Sequence, residues 1–201
     1  FYLVHSMSTS DNYEKLEQKS AINFREQLSK TTIKHVIYLS GIINQSSLSK
    51  HLLSRKLVEN ELKKGNYNFT TFRAGIIIGS GSASFEIMRD LVEKLPIMIA
   101  PRWLLTKCQP IAIFDVLTIL SKSIMNEDTF DKNFDIGSND ILTYKEMLLG
   151  IASTRKLKRV ILTFPVMSPR ISSYWLYFVT STSYRLAKNL VDSMKVEVVC
   201  E

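Results

Sequence analysis

Ser40 closes the apolar run Tyr38-Leu39 and is followed by Gly41; eleven residues further on stands His51, and four beyond that Arg55. A hydroxyl can orient a carbonyl or hydroxyl oxygen, an imidazole with a pKa of about 6.5 can exchange its proton, and an always-charged guanidinium can hold a ribose or a phosphate. A spacing of four is about one helical turn, so His51 and Arg55 share a helix face if their segment is helical. A second group is Ala74-Gly75-Ile76, where a glycine without Cβ lets the backbone approach a flat ring. His5 and Ser6 follow an apolar run and offer donors to sugar hydroxyls. Each has an ordinary alternative: a helix histidine and a surface cation at 51 and 55, a tight turn at 75, a structural hydrogen-bonding residue at 5.

The elements that must position these residues follow from hydrophobic periodicity. Short apolar runs alternate with helical patterns along the 201 residues, which predicts an α/β sheet with helical crossovers. Strands are expected at 1–5, 36–39, 69–78, 111–113, 133–136 and 159–164. Helices are expected at 12–29, with Asp11 as N-cap and Leu16, Ile22, Phe24 and Leu28 turned inward, and at 46–64, stopping at Gly65. Further helices are expected at 84–94, ended by Pro96, at 115–125, with Asp115 as N-cap, and at 143–152, where Thr143 and Glu146 have capping-box spacing. From Pro169 the pattern turns helical and aromatic, with Tyr174, Trp175, Tyr177 and Phe178 close together; without a basic face, this tail suits packing on its own domain better than a lipid interface. In such sheets ligands lie beyond the carboxyl ends of parallel strands, so chemistry is sought after His5, Leu39 and Phe72.

Composition narrows the class. An apolar content of 45% supports one sizeable core. The net charge of +7 favours anionic partners such as nucleotides, nucleic acid or a membrane surface. It is scattered, however, and its densest run, Arg155 to Arg159, directly precedes the apolar Val160-Ile161-Leu162, which reads as the solvated start of a strand and argues against nucleic acid. Cys108 and Cys200 match no zinc or redox spacing, which fits a reducing, cytoplasmic setting. No stretch is apolar for long enough to be a transmembrane segment. A homo-oligomer is left open.

A strand, Ser-Gly, and a helix carrying two functional residues four apart resemble the catalytic layout of the short-chain dehydrogenase/reductases. In that family the serine orients the substrate carbonyl, a tyrosine is the general acid, and a lysine lowers the tyrosine's pKa and binds the ribose; the matching positions here are Ser40, His51 and Arg55. The stretch Phe72-Arg73-Ala74-Gly75-Ile76-Ile77-Ile78-Gly79 is similar to the R-P-G-x-x-x-G of extended and atypical members, with Ala74 replacing proline. Since that loop borders the nicotinamide, the resemblance assigns Ala74, Gly75 and Ile76 to the cofactor. Residues 1–7 resemble the family's fourth strand, whose end lies against the adenosine half and ribose, which assigns His5 and Ser6. Gln109 to Val116 resembles the h-V-x-D-V segment of epimerase-like members, and Phe134-Asp135-Ile136-Gly137 with Leu142 to Glu146 resembles their late strand and following helix.

The resemblance implies a Rossmann-type, doubly wound, mostly parallel sheet with helices on both faces in residues 1–168, and a small C-terminal helical extension in 169–201. It implies NAD(P) as cofactor, a small-molecule substrate, and oxidoreductase or epimerase-like activity; a non-catalytic NAD(P)-binding regulatory or scaffold module is the alternative. The family's G-x-x-G-x-x-G, which cradles the pyrophosphate at a helix N-terminus, has no counterpart in this sequence. Either the first strands lie in a portion of roughly 60 to 80 residues upstream or the chain is a remnant that lost binding; the first is the expectation, with NAD(P) binding expected only of the full-length protein.

Overall fold

The structure is a computed structural model and describes residues 1–4, 13–43, 50–164 and 194–201. Its elements are α1 (Tyr13–Leu28), β1 (His35–Gly41), α2 (Lys50–Leu62), β2 (Asn68–Ala74), β3 (Ile77–Ile78), α3 (Ala83–Lys94) and β4 (Ile97–Pro101). There follow a 3-10 turn (Arg102–Leu105), β5 (Lys107–Cys108), β6 (Ile111–Ala112), α4 (Ile113–Lys122) and a second 3-10 turn (Glu127–Thr129). The described part is completed by β7 (Asn133–Ile136), β8 (Leu142–Thr143), α5 (Tyr144–Thr154) and β9 (Val160–Phe164).

The main sheet runs β1-β2-β7, all parallel, and Tyr2 adds a parallel bridge to Tyr38. Side chains alternate across β1. Val36 and Tyr38 point into a core with Ala21 of α1 and Val58 and Leu62 of α2. Ile37 points the other way, into a core with Phe72, Ala74, Val116 and Leu120. The crossover helices α2 and α4 thus cover opposite faces, which makes this an α/β, doubly wound, Rossmann-like sheet. A second core lies outside it, where α3 and α5 pack against β4 and β9 through Met88, Val92, Met98, Leu148 and Ile161. Buried Cys108 belongs to it; its thiol donates to the Leu142 carbonyl at 3.3 Å, and burial pushes its pKa up to about 12, so it is structural rather than nucleophilic.

Several expectations need correction. Asp115 is not an N-cap: α4 starts earlier, with Ala112 in the cap position and no side-chain cap bond, and Asp115 lies in the first turn, where a carboxylate complements the helix dipole. The inward face of α1 carries Glu17, Ala21, Phe24 and Leu28, whereas Leu16 is exposed. The strand expected at 69–78 is broken after Ala74. Strand β4 was not expected, because prolines 96 and 101 bracket it. The expected capping box at Thr143 and Glu146 is present, with the two residues bonding each other's backbone N–H. Most of the C-terminal extension lies outside the described residues; the last eight form a turn and an extended segment that hydrogen-bonds to Lys107 and Gln109 rather than a helix.

The start of β1 holds a titratable lock. His35 Nδ1 accepts from the Met125 N–H at 3.3 Å, so its proton sits on Nε2 and is donated to Thr70 Oγ1 at 2.8 Å; Thr70 passes its own proton to the Thr129 carbonyl. Burial holds the His35 pKa below its ordinary value, with Asp131 opposing. The unfolded chain therefore takes up the proton first, at about pH 6.5. This contribution to stability is complete above that pH and is lost as pH falls toward the depressed folded value. Denaturant titrations between about pH 7.5 and 5.5 should show wild type losing stability more steeply than His35→Phe. Equal slopes would remove the lock.

Candidate functional site

The carboxyl ends of β1 and β2 lie side by side, with Ser40 paired to Arg73 and Gly41 to Ala74. On the face covered by α1 and α2, alternation brings Tyr38 and Ser40 of β1 and Thr71 and Arg73 of β2 inward. Helix α2 presents Ser54, Arg55 and Glu59 to this layer, and α1 presents Glu17; all four are buried. A polar seam thus runs between sheet and helices where apolar residues would ordinarily sit. Part of it is internally satisfied. Ser54 donates to Glu17, and Glu59 grips Arg73 with two parallel bonds, Nε to Oε2 at 3.2 Å and Nη2 to Oε1 at 2.6 Å. Tyr38 donates to the backbone carbonyl of Arg55 at 3.4 Å.

The remainder is not. Ser40 Oγ is buried without a hydrogen-bond partner among the described residues, as is Tyr2 Oη. The Tyr38 and Ser40 hydroxyls are close enough to influence each other, but their geometry is not that of a hydrogen bond, and the bond to the Arg55 carbonyl decides where the Tyr38 proton points. The Arg55 guanidinium forms no ion pair among the described residues although it is only 9% exposed. Burial pushes the phenols of Tyr38 and Tyr2 up, Tyr2 to about 12, and the Arg55 charge opposes the rise at both. A buried hydroxyl without a partner is costly unless something else meets it.

The sequence-predicted residues are distributed unevenly. Ser40 and Arg55 are brought into one layer. His51 lies one turn before Arg55 in α2, and its side chain is outside the described residues, as are His5 and Ser6. Ala74, Gly75 and Ile76 sit where β2 ends, beside Ser40 and Gly41. Gly75 has a structural reason to be glycine: a Cβ there would lie 2.5 Å from the Gln109 carbonyl oxygen. Glu17, Tyr2, Tyr38 and Glu59 were missed. Glu17 had a signal, because it occupies the i−4 position to Ala21 on the buried stripe of α1. A cavity of about 590 Å³ lined by Lys34, Asn66, Tyr67, Asn68, Met125 and Glu127 lies at the opposite, amino ends of β1 and β2, away from where this kind of sheet binds ligands.

The same architecture occurs in solved structures. Triphenylmethane reductase from Citrobacter sp., complexed with NADP(H), superposes with a TM-score of 0.72 at 12% identity, over 94% of this chain and 64% of the reductase. A nucleoside-diphosphate-sugar epimerase from Staphylococcus aureus gives 0.71 at 13% identity, over 96% and 65% of the respective chains. This chain shares their fold. UDP-glucuronic acid 4-epimerase from Bacillus cereus, in complex with UDP-glucuronic acid and NAD, gives 0.62 at 10% identity, over 96% and 72%. The chain therefore spans just under two-thirds of the first two proteins. No protein-family model and no curated protein sequence matches it. In this epimerase-reductase fold, Ser40 and Ala74 stand at the carboxyl rim of the sheet, and among the described residues no helix is long and apolar enough to cross a membrane.

Proposed function

We propose that the carboxyl rim of this sheet is the nicotinamide and substrate side of an NAD(P)-dependent oxidoreductase or epimerase-like site of the short-chain dehydrogenase/reductase type. The substrate class is a small molecule with a carbonyl or hydroxyl carbon. The observation that carries the reading is Ser40 Oγ, buried and unpartnered at a strand end, in one layer with the buried Arg55 cation. A substrate oxygen would satisfy the hydroxyl, and a ribose or phosphate would satisfy the guanidinium. Bound NAD(P) supplies hydride donor and acceptor chemistry.

In this reading Ser40 orients the substrate oxygen, and His51 gives that oxygen a proton or takes one from it. Arg55 holds the ribose or phosphate, His5 and Ser6 contact ribose hydroxyls, and the backbone of Ala74, Gly75 and Ile76 borders the nicotinamide. Tyr38 anchors the Arg55 backbone from below. The test is dinucleotide binding by fluorescence together with turnover on a carbonyl panel. Arg55→Met should weaken dinucleotide affinity about tenfold or more, while Ser40→Ala and His51→Ala should cut turnover by about a hundredfold and change that affinity little. Unchanged affinity in Arg55→Met would overturn the assignment.

One observation favours the non-catalytic reading: His51 and Arg55 stand where the family places tyrosine and lysine. Dinucleotide binding that depends on Arg55, with turnover blank across the panel, would establish that module in place of the enzyme.

A further inference from the structure

Among the described residues, the ribbon of β4 and β9 buries one face and leaves the other exposed. In register, Ile97 stands beside Val160, Ile99 beside Leu162 and Pro101 beside Phe164. Alternate residues Met98, Ala100 and Ile161 pack into the core under α3 and α5. On the outer face Ile97, Ile99, Val160, Leu162 and Phe164 are each between 49% and 62% exposed. Strand alternation puts these five side chains together on one flat surface. Five adjacent large apolar side chains, each about half exposed, form a contiguous patch of the kind that marks an interaction site rather than scattered surface leucines.

Among the described residues the charge around this patch is mainly positive. Exposed Lys158 lies two residues before β9, in step with its outward positions, exposed Lys156 precedes it, and exposed Arg102 follows Pro101 at the far end. None of the positions 97, 99, 101, 158, 160, 162 and 164 is acidic. One acid, Glu197, shares a cavity with Arg102 and Lys195 at the far end; the acids of α3 lie beneath the opposite face, where Asp90 pairs with Lys94 and Glu93 with Arg155. Arg159 also turns that way, donating to the Val92 and Glu93 carbonyls.

We propose that this face docks on an anionic lipid surface, with the five apolar side chains entering the interfacial zone and Lys158 and Arg102 meeting the headgroups. An apolar centre between cations complements a negatively charged bilayer. It does not complement itself: two copies related by a two-fold axis would bring cationic rims together, on chains each carrying a net charge of +7.

The experiment is flotation of the full chain with vesicles of phosphatidylcholine, alone or with about 30 mol% phosphatidylserine. Binding should be about tenfold tighter to the anionic vesicles and should weaken as salt rises. Lys158→Glu should weaken it about tenfold, and Ile99→Glu with Leu162→Glu should abolish it while the circular dichroism and melting temperature stay as in wild type. If the double variant fails to fold, Leu162→Ser serves in its place and should weaken binding. Absence of flotation with either vesicle overturns the proposal. So does equal binding by Lys158→Glu, or a concentration-dependent dimer that Leu162→Ser dissociates without any lipid binding in wild type.

Discussion

Gly75→Ala should lower the stability of the unliganded protein by about 3 kcal/mol, a fall in melting temperature of roughly 6 to 12 °C for a chain of this size. The added Cβ would come within 2.5 Å of the Gln109 carbonyl oxygen. Gln109 cannot easily retreat. Its N–H donates to the Val198 carbonyl at 2.8 Å, and its side-chain amide donates to the Ser138 carbonyl while accepting from the Cys200 N–H at 3.0 Å. Ile111, two residues on, donates to the Ile76 carbonyl and ties the same stretch to the far side of Gly75. Gly137 closes the junction from below, since a Cβ there would meet the Gln109 side chain at 2.8 Å and Cys200 Sγ at 2.9 Å. Calorimetry without dinucleotide separates this from a purely ligand-related glycine. If the glycine served only a flat ring, the unliganded melting temperature would stay put and only affinity would fall.

That junction also shows why the site was less legible than the sheet. Ser40 could be placed at a strand end from the run Tyr38-Leu39-Ser40-Gly41, because strand termination is local, and its orientation follows from period-two alternation with Tyr38. The reason for Gly75 is a contact with a residue 34 positions away, which no local pattern encodes. Glu17 is similar: it interrupts the apolar stripe of α1, and what satisfies part of its carboxylate is Ser54 on another helix. A periodicity reading prefers Leu16 for the inward position, and burial of a carboxylate overrides it because a specific hydroxyl is in place.

The Thr143 and Glu146 box was legible because its two reciprocal bonds lie within one turn, where they hold the Glu146 carboxyl below its usual range. Strand β4 was invisible for the opposite reason. Its five residues follow one proline and end on another, and they are stabilised by a parallel partner that begins 63 residues later in register, Val160 opposite Ile97; a parallel pairing leaves no turn signal in the sequence.

Glu59→Leu should cost about 2 to 3 kcal/mol and should also disturb the candidate site, which lies one helical turn away. Glu59 is buried, with its side chain only 7% exposed, and it meets Arg73 in a bidentate pair whose hydrogen bond holds the Arg73 pKa above its ordinary value. Removing the carboxylate strands a partly buried guanidinium. Asp135, opposite Arg73 on β7, also raises that pKa and would recover part of the loss, so the cost should fall short of that for a fully buried pair. Combining Glu59→Leu with Arg73→Met replaces both charges by apolar groups and should recover most of the stability, leaving a coupling of about 2 kcal/mol in the double-mutant cycle. Additive losses across the cycle would mean that the pair contributes no specific interaction. The functional consequence follows from geometry: Arg55 sits four residues before Glu59 on α2, and the clamp to β2 is what holds that turn against the strand bearing Ala74. If Arg55 binds the dinucleotide, Glu59→Leu should weaken that binding as well, and the charge-free double variant, though stable, should recover it only in so far as α2 returns to the sheet.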